Sequence, residues 1–211
     1  MTDGTRTFTD ARAWARTGTE LLLDAVASLD EAAFAAPSAL PDWTRKHLAA
    51  HIAANADALG NLVHWAATGE ETPMYASAEE RAAGIAKGPA LSADELRSWL
   101  TASAHKLAAG LDGLTDEQWG REVVTAQGRT VPAIELPWMR AREVCVHAVD
   151  LGTGVVAFAD LPRGFLTALV AEIGGKRGLT ELPDGPLPEV AAWLAGRPHS
   201  LADASELGPW L

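Results

Sequence analysis

Apolar residues recur every three or four positions along most of this chain, the spacing typical of amphipathic helices. The pattern predicts a first helix over residues 10–29, with Trp14 and Leu22 among its apolar positions. It predicts a second helix from about residue 44 to residue 68, and Gly69 directly after it is a typical helix-terminating residue. The first third of the chain is therefore predicted to be α-helical.

Two further long helices follow. Ser92 and Glu95 have the spacing of a capping box at the start of the third, which is predicted to end near Gly110. The fourth is predicted over residues 133–152. Pro137 either lies in its first turn, where the missing N–H of proline costs no helical hydrogen bond, or kinks the helix, and we favour the first turn. Four amphipathic helices with one crossover predict a mainly α fold, a four-helix bundle.

The segments outside these helices are shorter and less regular. Residues 122–132 carry β-branched side chains around Gly128, which predicts a small hairpin or an extended crossover. After residue 153 the composition changes, and residues 160–173 are a further helix candidate before a stretch rich in glycine and proline. We therefore divide the chain into a bundle and a small C-terminal region, residues 154–211.

Composition and charge narrow the class of protein. The chain has 211 residues, of which 48% are hydrophobic, enough to bury a substantial core. Its formal net charge of −11 argues against a nucleic-acid partner. No apolar run is long enough for a membrane span, and the first residues lack the features of a secretory signal. With a single cysteine, no internal disulfide can form, which is consistent with a reducing compartment. We therefore expect a soluble cytoplasmic protein. Its expected oligomeric state is a monomer or a homodimer.

The strongest chemical signal is a pair of residues in the fourth predicted helix. Glu143 and His147 are four residues apart, so their side chains share one helix face. With His51 from the second predicted helix they would supply three ligands to a divalent metal and leave a coordination position open. From spacing alone, a solvated salt bridge and a satisfied core histidine remain the alternatives.

Several stretches of sequence carry a more specific resemblance. The chain resembles the mycothiol-dependent maleylpyruvate isomerase family, within the DinB-like group of metal-dependent four-helix proteins. The resemblance spans about residues 10 to 160. Its motifs are DWTRKHLAAH at residues 42–51, NADAL at 55–59, ETPMY at 71–75, GRTVP at 128–132 and ELPWMRAREVCVHAVDL at 135–151.

The resemblance implies a metal site and a thiol cofactor. It places a divalent metal, zinc as the first expectation, on His51, Glu143 and His147. It implies that the metal activates mycothiol as a thiolate, which adds to the double bond of maleylpyruvate and leaves as fumarylpyruvate forms. The bundle is expected at residues 1–153, followed by a small α/β-type region that is abbreviated relative to longer members of the family.

The resemblance also suggests residues that contact the small molecules. Arg197 is the main candidate for binding the substrate carboxylates, with Arg142 and Arg140 as further candidates. Asn55, Trp138 and Arg140 are the candidates for binding the thiol cofactor. Surface ion pairs for the arginines, and core packing for Trp138, are the simpler interpretations.

Two residues beside the predicted ligands have their own interpretations. Cys145 should point away from the metal, because it is about 200° from Glu143 around the helix, and we interpret it as a small buried apolar residue. Asp150 lies one turn beyond His147 and could accept the second imidazole N–H, although capping or solvent exposure would serve equally well.

The function predicted from the sequence is therefore a metal- and mycothiol-dependent enzyme, either a maleylpyruvate isomerase or a thiol S-transferase acting on a small electrophile. The alternative is a non-catalytic bundle that binds a metal or a small ligand. The two differ in whether a low-molecular-weight thiol reaches the metal.

Overall fold

The structure, a computed structural model, describes residues 6–202, 204–208 and 210, except for the side chains of Ala78 and Glu80. Most of these residues are helical, joined by short loops and by 3₁₀ turns at Gly88–Ala90, Ala133–Glu135 and Phe158–Asp160. The α-helices are α1 (Phe8–Ala27), α2 (Glu31–Ala35), α3 (Arg45–Thr68), α4 (Ala78–Ala86), α5 (Ala93–Asp112), α6 (Asp116–Trp119), α7 (Leu136–Asp150), α8 (Arg163–Lys176) and α9 (Leu187–Leu194).

The four long predicted helices correspond to α1, α3, α5 and α7. α1 packs along α7 and α3 packs along α5, which confirms the mainly α bundle. α1 and α7 approach closely at Gly18, where a Cβ would lie 2.5 Å from Cys145 Sγ and 2.7 Å from Val144 Cγ2. Glycine at this position therefore sets the distance between the two helices, one of which carries Glu143 and His147.

Local sequence explains where these helices begin. Ser92 accepts a hydrogen bond from Glu95 N at 3.3 Å and donates its own backbone N–H to the Glu95 carboxylate at 2.8 Å, so the predicted capping box is confirmed. Pro137 lies in the first turn of α7, as predicted. At the start of α3, the backbone N–H of Thr44 donates to His47 Nδ1 at 3.2 Å, so His47 caps this helix.

A two-stranded hairpin connects α6 to α7. Its strands are β1 (Glu122–Val124) and β2 (Thr130–Pro132), paired antiparallel with Val123 opposite Val131. Gly128 in the connecting turn has φ +74°, a conformation that glycine adopts without strain. Of the two sequence-based alternatives for this segment, the structure has the hairpin.

The C-terminal region differs from the prediction. Its described residues form α8, α9 and irregular segments without any strand, so its predicted α/β character is wrong. The reason is packing: Phe165, Leu169 and Ile173 recur at helical spacing and are fully buried in the same core as α1 and α7, so α8 needs no sheet to cover it. Across the part of the chain that the structure describes, no helix is long and apolar enough to cross a membrane.

Candidate metal centre and its cavity

Three potential metal ligands meet where α3 and α7 face each other. α3 supplies His51, and one turn of α7 supplies Glu143 and His147. Glu143 Oε2 lies 3.2 Å from His51 Nε2 and 3.4 Å from His147 Nε2, and ligand atoms of all three residues lie within 4.8 Å of one another. Zinc bonds of about 2.0–2.2 Å place tetrahedral donors about 3.3–3.6 Å apart, so small side-chain rotations bring these atoms onto one ion.

A chain of buried polar groups holds His147 from behind. Its Nδ1 lies 2.8 Å from Asp150 Oδ2, and Asp150 is fully buried. Arg197 donates to both carboxylate oxygens of Asp150, from Nε at 3.0 Å and from Nη2 at 2.7 Å. Metal-bound histidines commonly donate a hydrogen bond from their second ring N–H to a carboxylate, which fixes the ring orientation and tautomer. Nε2 of His147 is thereby directed toward Glu143 and His51.

The electrostatics of the metal-free cluster favour charged groups. Burial alone raises the pKa of Glu143, but hydrogen bonds with His147 and His51 outweigh it and lower that pKa well below its usual value. Burial alone lowers the pKa of His147, but Asp150 and Glu143 outweigh it and raise that pKa to about 9. Near neutral pH the protein therefore holds a proton on His147 where a cation would bind.

The donor set fits a divalent metal. Two imidazole nitrogens and one carboxylate oxygen are ligands used in catalytic zinc sites, and three protein ligands leave a position for a water or a substrate. Cys145 does not belong to the cluster: its side chain is fully buried and its Sγ donates to the Trp14 carbonyl at 3.7 Å. Burial raises the pKa of this thiol to about 12, in agreement with its interpretation as an apolar core residue.

A cavity of about 280 Å³ opens onto the cluster, and both His51 and Glu143 line it. Four of its described lining residues are cations, although the whole chain carries a formal net charge of −11. Glu143 is the acidic residue among the described lining residues. The open side of the metal cluster therefore faces a positively charged cavity, whose remaining walls are Asn55, Met74, Tyr75, Arg81, Ala126, Gln127, Arg129, Met139, Arg142, Lys176 and Trp210.

Two of the other sequence-predicted site residues line this cavity. Asn55 is buried, and its Oδ1 accepts a hydrogen bond from Arg140 Nη1 at 2.9 Å. Arg142 donates from Nη1 to Glu172 Oε1 at 2.6 Å, and its guanidinium lies over the Trp210 ring at 5.4 Å. The structure thus brings Asn55 and Arg142 to the predicted metal ligands.

Three other candidates lie outside the cavity wall. Trp138 is buried in the core, 5.9 Å from Trp14 between ring centroids, and its Nε1 donates to Glu172. Arg140 is buried below a separate crevice of about 230 Å³, and burial lowers its pKa to about 10. Arg197 lies behind His147 with its guanidinium bound to Asp150. None of the three is among the residues that line the cavity, and a role for them in binding the thiol or the substrate stays a prediction.

Sequence reasoning did not single out several residues of the cavity wall. Arg81 comes from α4, Arg129 from the hairpin turn, Lys176 from the end of α8 and Trp210 from the C-terminal segment. Segments so far apart in the chain give no local pattern. The family motifs were the available signal, since GRTVP at residues 128–132 contains Arg129 and ETPMY at residues 71–75 contains Met74 and Tyr75.

Comparisons with known proteins agree with this geometry. The family model of the mycothiol maleylpyruvate isomerase N-terminal domain matches residues 15–152. A crystal structure of the mycothiol-dependent maleylpyruvate isomerase is 39% identical, with a TM-score of 0.89, and the match covers 97% of this chain and 98% of that chain. A histidine-to-alanine mutant of the mycothiol-dependent maleylpyruvate isomerase matches at 38% identity with the same TM-score of 0.89. A search of curated proteins found no match.

The structural match extends through the C-terminal region. Because it covers 97% of this chain and 98% of the solved chain, it includes most of residues 154–211, and the abbreviation of this region relative to longer family members stays a prediction. The family model covers more than half of this chain, including all three clustered ligands. The chain therefore belongs to the mycothiol-dependent maleylpyruvate isomerase family of enzymes.

Proposed function

We propose that this protein is a metal-dependent enzyme that uses mycothiol to isomerise maleylpyruvate to fumarylpyruvate, with zinc as the first candidate metal. The observation that carries the proposal is the cluster of His51, Glu143 and His147, whose open side faces a cavity lined by cations. The matched crystal structures, which are of mycothiol-dependent maleylpyruvate isomerases, support it.

The three clustered residues would hold the metal. A divalent ion bound there lowers the pKa of a thiol and so makes the thiolate available as a nucleophile at neutral pH. Asp150 holds His147 in the orientation and tautomer that leave Nε2 free to bind. The guanidinium of Arg197 balances the negative charge of the buried Asp150 carboxylate by donating to both of its oxygens.

The isomerisation is a reversible addition. The thiolate sulfur forms a bond to one carbon of the cis double bond, and the π electron pair moves toward the conjugated carbonyl oxygen. Rotation follows about the carbon–carbon bond that was the cis double bond and is now single. The electron pair then returns, the C–S bond breaks, and the trans double bond forms with release of the same thiolate. The cations of the cavity wall favour a substrate that carries carboxylates and a negative charge on the carbonyl oxygen.

The test is turnover of maleylpyruvate by zinc-loaded protein with and without mycothiol. We expect turnover only with mycothiol, and a loss of at least about 100-fold in Glu143→Gln, because removal of a ligand disables the metal. Glu71→Gln is the matched control, since Glu71 is an exposed glutamate outside the cavity. Turnover that persists without mycothiol, or in Glu143→Gln, would overturn the proposal.

The fate of the thiol separates the isomerase from its alternatives. An isomerase regenerates mycothiol, whereas an S-transferase consumes one thiol for each electrophile. A cobalt-substituted protein whose absorption spectrum does not change on addition of mycothiol would instead favour a non-catalytic binding protein. We expect a sulfur-to-metal charge-transfer band and no net consumption of thiol.

A further inference from the structure

The cations around the cavity fall into two pairs that differ in how their charge is balanced. Arg142 and Lys176 both donate to Glu172 Oε1, at 2.6 and 2.5 Å. Both also lie over the Trp210 ring, at 5.4 and 5.6 Å from its centroid. Their charge is therefore already shared with a carboxylate and an aromatic face, and both side chains are held in place.

The second pair, Arg81 and Arg129, has no such balance. Both side chains are exposed, and among the described side chains, which leave out that of Glu80, no carboxylate forms an ion pair with either guanidinium. Arg81 comes from α4, and Arg129 directly follows Gly128 in the hairpin turn. Each guanidinium presents donors in a planar fork that matches a carboxylate.

The charge of the cavity changes when the metal site is filled. Glu143 is the acidic group in the described wall. When it binds the metal, the positive charge of the ion balances the negative charge of its carboxylate. The unpaired charges of Arg81 and Arg129 then make the cavity net positive. A substrate with two carboxylates supplies the missing negative charge, whereas a neutral molecule does not.

From this arrangement we propose that Arg81 and Arg129 are the residues that bind the carboxylates of the substrate and so select a dianion. This deepens the proposed function, on which it rests, by assigning substrate recognition to α4 and the hairpin turn. Arg142 and Lys176 instead hold Glu172 and Trp210 as a fixed wall of the same cavity.

Binding of maleate tests this assignment without depending on turnover. Isothermal titration of maleate into the zinc-loaded protein should give a Kd that rises about tenfold or more in Arg129→Gln and in Arg81→Gln, as expected for loss of a charge-assisted hydrogen bond. In steady-state assays the same variants should raise KM for maleylpyruvate by a similar factor. KM for mycothiol and the zinc content should not change.

Two controls make the result specific. Arg163→Gln removes the same charge from an exposed arginine of α8 outside the cavity and should leave the Kd of maleate unchanged. Arg129→Lys keeps the charge and should recover part of the affinity. Unchanged maleate binding in the double variant Arg81→Gln/Arg129→Gln would overturn the assignment. If maleate binds and depends on these arginines while maleylpyruvate is not turned over, only the proposed reaction fails.

Discussion

The two sides of the candidate metal site are built differently. On the interior side, His147, Asp150 and Arg197 are 3%, 0% and 7% exposed and are joined by hydrogen bonds. On the cavity side, Arg81 and Arg129 are exposed and have no described carboxylate partner. The interior side fixes the metal ligands, and changes there should cost stability and metal affinity. The cavity side is free to meet a ligand, and changes there should alter which ligand binds.

The largest effect is expected from Asp150→Asn on the interior side. The change leaves the buried guanidinium of Arg197 without its counter-ion and weakens the orientation of His147. We expect a loss of about 3–5 kcal/mol in the free energy of unfolding and a fall in zinc affinity of about 10- to 100-fold. Urea unfolding and zinc titration measure the two. Arg129→Gln on the cavity side should change stability by less than about 0.5 kcal/mol, and equal losses in both variants would break the comparison.

A change of pH should also act on the interior side. In the metal-free protein the pKa of His147 is raised from its ordinary 6.5 to about 9. Its contribution to stability is therefore fully present below pH 6.5 and is lost as pH rises through about 9. Glu143, whose pKa is lowered, contributes above its ordinary pKa and loses this contribution as pH falls.

Urea unfolding of the metal-free protein at two pH values measures this effect. We expect the free energy of unfolding to be lower at about pH 8 than at about pH 6.5 by roughly 1–2 kcal/mol, a range in which the Cys145 thiol stays mostly protonated in the folded and the unfolded protein. His147→Gln should lose most of the difference, whereas Arg129→Gln should retain it. A pH dependence that is the same in His147→Gln and in the parent protein would show that other groups cause it.

On the cavity side, Trp210→Ala tests whether the fixed wall contributes to binding. The change removes the aromatic face over Arg142 and Lys176. We expect the zinc content to be unchanged, stability to fall by no more than about 1 kcal/mol, and KM for maleylpyruvate to rise a few-fold. Trp210→Phe, which keeps an aromatic face, should recover most of the parent KM. Loss of zinc in Trp210→Ala would mean that this wall supports the metal site itself.

The smallest effect is expected at Cys145. Because burial raises the pKa of its thiol to about 12, the thiolate fraction at pH 8 is about one in ten thousand. Iodoacetamide should therefore label the folded protein far more slowly than the urea-unfolded protein, as mass spectrometry would show. Rapid labelling of the folded protein, with loss of zinc, would contradict the placement of Cys145 in the core.

The sequence predicted the long helices because their signals are local. The capping box of Ser92 and Glu95 and the position of Pro137 depend on residues within one turn, and both are confirmed. The short helices α2, α4 and α9 were not predicted, since so few residues give little periodicity. The predicted α/β character of the C-terminal region failed because its apolar residues pack into the bundle core instead of onto a sheet.

The site was predictable in part, for a similar reason. Glu143 and His147 share a helix face by their spacing, and the structure brings to them His51, the third ligand proposed from the second helix and supported by the family resemblance. The hydrogen bonds of Arg197 with Asp150 were not predicted, because no local pattern links two residues 47 positions apart, and contact of Arg197 with the substrate stays a prediction. Arg81 and Arg129 are brought to the cavity by tertiary packing, so sequence periodicity could not select them.

The measurement that tests the central claim most directly is the zinc content of three proteins after loading and removal of excess metal: the parent, His147→Ala and His105→Ala. Elemental mass spectrometry gives the metal content per chain. We predict about one zinc per chain in the parent and in His105→Ala, whose histidine lies outside the cluster, and little in His147→Ala. Equal, negligible zinc in all three would contradict the account, because the cluster of His51, Glu143 and His147 would then be a buried ion-pair network with no metal to hold.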